Sequence, residues 1–195
     1  MDVQDVIKIL GNDEYAKKAV ELLLKYSKEG FIPGNEVDSE LLLFFDYFKL
    51  ALPLNAINNS LSWNLRLIQA DKLEIPYVVR FFFDQLKRGE ADWREVIKNY
   101  FKSIGESKPE DFVYIYKEMV KVSKNLIICA KDVVEISMRW NRDGGVVIAE
   151  MKGAGLISPF MGCGKIGKAG APLYEVNRFF ANLVLNDLNY PYETS

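Results

Sequence analysis

Ile148-Ala149-Glu150-Met151-Lys152-Gly153-Ala154-Gly155-Leu156-Ile157 is the stretch on which the reading of the fold turns. Ile148 and Met151 stand three apart, which puts both on one helical face and pins that face to a core. Gly155 supplies the positive φ that ends a helix in a left-handed turn, and Leu156-Ile157 opens an apolar strand. Upstream, Lys131 to Trp140 predicts a helix with Val133, Val134, Ile136 and Met138 apolar, and Asn141 to Gly145 a turn into a second short helix. Further upstream, Glu110 to Lys124 is amphipathic, and Leu126 to Cys129 suits a strand. Downstream, Gly162 to Gly170 holds four glycines and two lysines. Ala171 to Val176 then alternates like a returning strand, and a last helix follows from Asn177 to about Leu188. The three strands, Leu126–Cys129, Leu156–Phe160 and Leu173–Val176, are expected to form one antiparallel sheet.

From about Glu110 to Leu188 the sequence resembles the winged helix-turn-helix superfamily. Two pieces carry the likeness. One is the apolar-x-x-apolar-x-x-x-Gly-Leu-Ile run just quoted, which is similar to the end of a recognition helix. The other is Ala171-Pro172-Leu173-Tyr174-Glu175-Val176, similar to the strand after the wing. The resemblance implies duplex DNA as partner, with a recognition helix over Gly145–Lys152 in the major groove and the Gly-rich hairpin as the wing. Carried over residue by residue, the DNA-contacting groups are Arg139 and Arg142 at the helix start, Lys152 on the helix, and Lys165 and Lys168 on the wing. The outward helix positions are Val146, Ala149, Glu150, Lys152 and Gly153. Only Lys152 among them is a usual base reader. Between Arg139 and Arg178 six basic residues stand against Asp143, Glu150 and Glu175, so backbone attraction is expected rather than sequence reading.

Catalysis finds little to work with. The chain has no histidine, which removes Ser-His-Asp and Cys-His mechanisms and every zinc site built with imidazole. Gly162 to Lys168 fits G-x-x-x-x-G-K, but Ala169 stands where Mg²⁺ needs Ser or Thr, and Gly170 and Pro172 interrupt the helix a P-loop requires. A non-enzymatic protein with no cofactor and no metal is expected.

Residues 1–109 read as helices: Asn12 or Asp13 to about Lys28, Glu40 to about Leu52, Trp63 to Ala70, Pro76 to Arg88, and Asp92 to Ile104. Phe81-Phe82-Phe83 spans most of a helix circumference and reads as a buried helix, and Lys87-Arg88 as a solvated helix end. No segment repeats at a fixed period. The fold class expected is therefore mainly α: a helical domain at 1–109, then a winged-helix domain at 110–195 with a small antiparallel sheet. Over all 195 residues, 25 Lys and Arg face 27 Asp and Glu, so no strong field marks the whole chain for a polyanion. The helical half is expected to serve a homodimer or a partner protein. No basic segment followed by an apolar one opens the chain, and the apolar runs are too short to span a membrane, so a cytoplasmic location with reduced Cys129 and Cys163 is expected. Two functions follow. One is a DNA-binding protein acting in transcription regulation. The other is a winged-helix interaction subunit of a replication, transcription or ribonucleoprotein assembly.

Overall fold

Short polar caps set the helix starts. Asp13 accepts from the Ala16 N–H at 2.7 Å, Asp38 from Leu41 at 2.8 Å and Asp143 from Val146 at 2.9 Å, each satisfying a donor that the first turn leaves open. The structure is a computed structural model and describes residues 1–53, 70–160 and 170–189. Among them the helices are α1 (Val3–Ile9), α2 (Glu14–Tyr26), α3 (Ser39–Phe48), α4 (Tyr77–Leu86), α5 (Trp93–Ser103), α6 (Glu110–Val122), α7 (Ala130–Met138), α8 (Gly144–Ala154) and α9 (Arg178–Asn189). The strands are β1 (Phe31–Pro33), β2 (Leu52–Pro53), β3 (Lys72–Glu74), β4 (Ile127–Cys129), β5 (Ile157–Pro159) and β6 (Leu173–Val176). The molecule is mainly helical with two small antiparallel sheets, ordered β1-β3-β2 and β4-β6-β5. No described helix is long and apolar enough to cross a membrane.

The expected C-terminal sheet is present, with Ile128 opposite Tyr174 and Ser158 opposite Glu175. The all-helical first half is not. Phe31-Ile32-Pro33 and Lys72-Leu73-Glu74 pair antiparallel, and Leu52-Pro53 joins the other edge of β3. These strands are two or three residues long, too short for an apolar alternation to mark them in the sequence. The helix expected to reach Leu52 stops at Phe48, because Lys49 takes a left-handed conformation at φ +61°. Pro53 ends a strand there, not a helix. The helix expected at Trp63–Ala70 lies outside the described residues, apart from Ala70.

The two sheets belong to two copies of one plan. The first runs helix, helix, strand, outer helix, strand, strand, helix; the second adds α7 before its outer helix, and the registers match. Ile75 N–H donates to Gly30 at 2.9 Å, as Val176 N–H does to Leu126 at 2.8 Å, and both acceptors have positive φ. Gly34 N–H donates to Asp71 as Ala130 N–H donates to Pro172. The outer helices α3 and α8 end alike: Lys49 and Gly155 are left-handed, and the next N–H reaches back, Leu50 to Phe45 and Leu156 to Met151. Even the ends of α1 and α5 correspond, with Gly11 bonded to Lys8 and Asn12 to Ile7 as Gly105 is to Lys102 and Glu106 to Phe101. The repeat has no fixed period, because the second copy has a full α7 where the first has only a 3₁₀ turn at Gly34–Glu36.

One continuous core joins the copies and runs past the loop at residue 109. Phe82 on α4 meets Phe179 on α9 edge-on at 5.2 Å, and Phe82 and Phe83 are fully buried. Arg88 pairs with Asp84 and Glu90 at the solvated end of α4. Cys129 is buried, while Cys163 lies outside the described residues.

Candidate functional site

The copies meet where their outer helices end. Asn177, fully buried just before α9, donates from Nδ2 to the Lys49 carbonyl and to the Gly155 carbonyl, both at 3.1 Å. Its Oδ1 accepts from the Phe180 N–H, capping α9. Its counterpart, Pro76 before α4, presses against Gly155, where an added Cβ would come within 2.6 Å of the proline Cβ. Gly155 is thus fixed twice, by its φ of +82° and by this approach.

This junction limits what α3 and α8 can reach together. Two carbonyls held by one nitrogen are at most about 6 Å apart, so with 1.5 Å per residue the helix midpoints lie no more than about 25 Å apart. Successive major-groove half-sites need about 34 Å. At their midpoints the two helices therefore stand closer together than recognition helices centred one turn apart.

The outer faces also differ from those of base readers. On α8, Gly145, Val146, Ala149 and Gly153 are exposed, while Glu150 and Lys152 are half-buried. On α3 the exposed residues after the first turn are Leu43 and Tyr47, and no Lys or Arg occurs in the helix. Of the residues assigned to DNA from the sequence, Arg139 is exposed at the end of α7 and Lys152 sits on α8. Lys165 and Lys168 lie outside the described residues.

The structure places Arg142 in an ion-pair cluster. Its side chain, 16% exposed, ion-pairs with Glu106 and, at 3.1 Å, with Asp111. It also donates to the Lys108 carbonyl at 2.8 Å and stacks its guanidinium 4.6 Å above the Phe112 ring. Every guanidinium nitrogen is engaged, so Arg142 staples the α5–α6 loop to the α7–α8 turn, and its charge is met by Glu106 and Asp111. Arg178 donates to the Tyr47 carbonyl at 3.1 Å. The Arg142 pairing does not show in the sequence, because Glu106 and Asp111 are more than thirty positions away.

Glu150 joins the Arg142 cluster. Burial first, and then the Glu106 carboxylate, push its carboxyl up to about 7, while Arg142 pulls the other way. Its Oε2 is buried with no partner among the described residues. A proton on the other carboxyl oxygen, shared with Glu106, accounts for the raised value, while Oε2 stays without a partner among the described residues. The folded value exceeds the ordinary 4.5, so this contribution to stability is complete below about 4.5 and is lost as pH rises through 7. The urea midpoint should therefore fall between pH 5 and pH 8, and Glu150→Gln should flatten the dependence. An unchanged slope in the variant would exclude Glu150 as its source.

No cluster among the described residues could hold a metal ion. A family model matches residues 4–187, which spans both copies of the plan. No curated protein matches the chain, and no solved structure does.

Proposed function

Because the chain belongs to the family whose model covers residues 4–187, we propose one function for both copies together: a non-enzymatic, tandem winged-helix interaction subunit of a replication, transcription or ribonucleoprotein assembly. The order α6, β4, α7, α8, β5, β6 with β6 central supports a winged helix in the second copy, and the matching registers support its degenerate counterpart in the first. The observation that carries the reading is the chemistry of the outer helices. A recognition helix needs Arg, Lys, Asn or Gln pointing outward, and α3 presents none while α8 presents Lys152 alone.

A DNA-binding regulator remains the second reading, favoured by the exposure of Arg139 and by the two lysines of the expected wing. Titration of random-sequence duplex DNA with the full chain separates the two. The interaction reading expects weak attraction that disappears by physiological salt. The regulator reading expects tight binding through Arg139, Lys152, Lys165 and Lys168. Its log–log salt slope would flatten by about 0.9 for each phosphate contact removed.

A further inference from the structure

From Lys102 to Lys108, across the end of α5 and the α5–α6 loop, every residue is exposed except Glu106. That carboxylate ties the loop to the second copy in two directions, to the Arg142 guanidinium and to the Glu150 carboxyl on α8. Arg142 also pairs with Asp111 and holds the Lys108 carbonyl. Three carboxyl groups therefore gather around one guanidinium, and the side chains of Glu106, Asp111 and Arg142 are each less than one-fifth exposed. With all three acids ionised the cluster would carry an uncompensated negative excess, which burial makes costly. One proton between Glu150 and Glu106 turns their repulsion into a hydrogen bond.

The plan of the fold does not call for these acids. In the first copy Asn12 stands for Glu106, by the matching bonds at the ends of α1 and α5. Phe44 stands for Glu150, by the register of the left-handed residues Lys49 and Gly155. Asn12 is exposed and Phe44 packs on the core, so neither position ionises there. Apolar groups in place of a buried ionic cluster are commonly neutral or stabilising, and switching is among the best supported uses of such a cluster.

We propose that the Glu106–Glu150 contact is a proton-operated latch on the α5–α6 loop: with its proton it holds the loop against α8, and without it the two carboxylates part and the loop opens. Burial and then Glu106 raise the Glu150 carboxyl to about 7, against the pull of Arg142, and opening returns it toward 4.5. The latch is therefore fully closed below about 4.5 and weakens as pH rises through 7. The Tyr100 phenol of α5 also faces Glu150. Other charges on the helices packed against α8 are engaged elsewhere: on α4, Arg80 donates to the Ser27 carbonyl and Asp84 pairs with Arg88, and on α7, Asp132 and Glu135 lie beside Val122.

Amide hydrogen exchange of the full chain at pH 6 and pH 8, corrected for the intrinsic effect of pH, tests the latch. The N–H groups of Gly105, Glu106, Asp111 and Phe112 are hydrogen-bonded at the two ends of the loop. Their protection should fall about tenfold from pH 6 to pH 8, the ratio that values of 4.5 open and about 7 closed give over that window. Low urea should leave their exchange unchanged, because a local opening exposes little surface. Glu150→Gln keeps a donor for Glu106 without a charge and should stay protected at both pH values, and Glu106→Gln should remove the dependence as well. Both variants should keep the circular dichroism of the parent. Loop protection in the parent that ignores pH, or that falls with urea as steeply as the core, would overturn the latch. An undiminished pH dependence in folded Glu150→Gln would overturn it too.

Discussion

Asn177→Leu should destabilise the protein by roughly 4 kcal/mol, the largest effect expected of any single conservative change here. The substitution keeps the volume and removes all three hydrogen bonds, to Lys49, Gly155 and Phe180. Two carbonyls and one N–H are then buried without partners, at about 1–3 kcal/mol each. For a chain of this length that corresponds to a drop in Tm of roughly 10 °C. Asn177→Ser should recover about 1 kcal/mol, because a hydroxyl can still cap α9 but does not bridge the two outer helices. Thermal unfolding of the three proteins is the check. A leucine variant within 1 kcal/mol of the parent would mean that Asn177 does not hold the copies together.

Arg142→Ala should cost about 3 kcal/mol, because it strands Glu106 and Asp111 without the cation that pairs with both. The loss should grow with pH, since Glu150 adds a further negative charge above about 7. Arg142→Lys should rescue little, because one ammonium cannot meet Glu106, Asp111 and the Lys108 carbonyl in the same fork. Below the unfolding transition, either variant should leave any attraction to DNA unchanged. Urea unfolding at pH 5 and pH 8 measures the first claim, and duplex titration measures the second. Weaker DNA binding by a fully folded Arg142→Ala chain would return Arg142 to the phosphate-contacting set.

The second copy was legible because its signals are local. Met151, Gly155 and Leu156 sit within six positions, and the structure gives each the role its chemistry suggests: buried anchor, left-handed turn, return into the sheet. The first copy carries the same turn on Lys49, a residue type that does not announce positive φ. Its strands are too short for alternation to register. The repeat was hidden for the same reason, since Gly30 and Leu126 fill equivalent left-handed positions with unlike side chains. The candidate site was less legible still. Charge counting placed Arg142 and Arg178 in one basic field, whereas ion pairing across distant segments and a contact with Tyr47 divide it.

The duplex titration, extended to a pool of randomised sequences selected at low salt by the full chain, tests the central claim most directly. With neither outer helix reading bases, the pool should emerge without a motif and binding should vanish as salt is raised. Enrichment of a defined site of several base pairs, lost on Lys152→Ala, would contradict it.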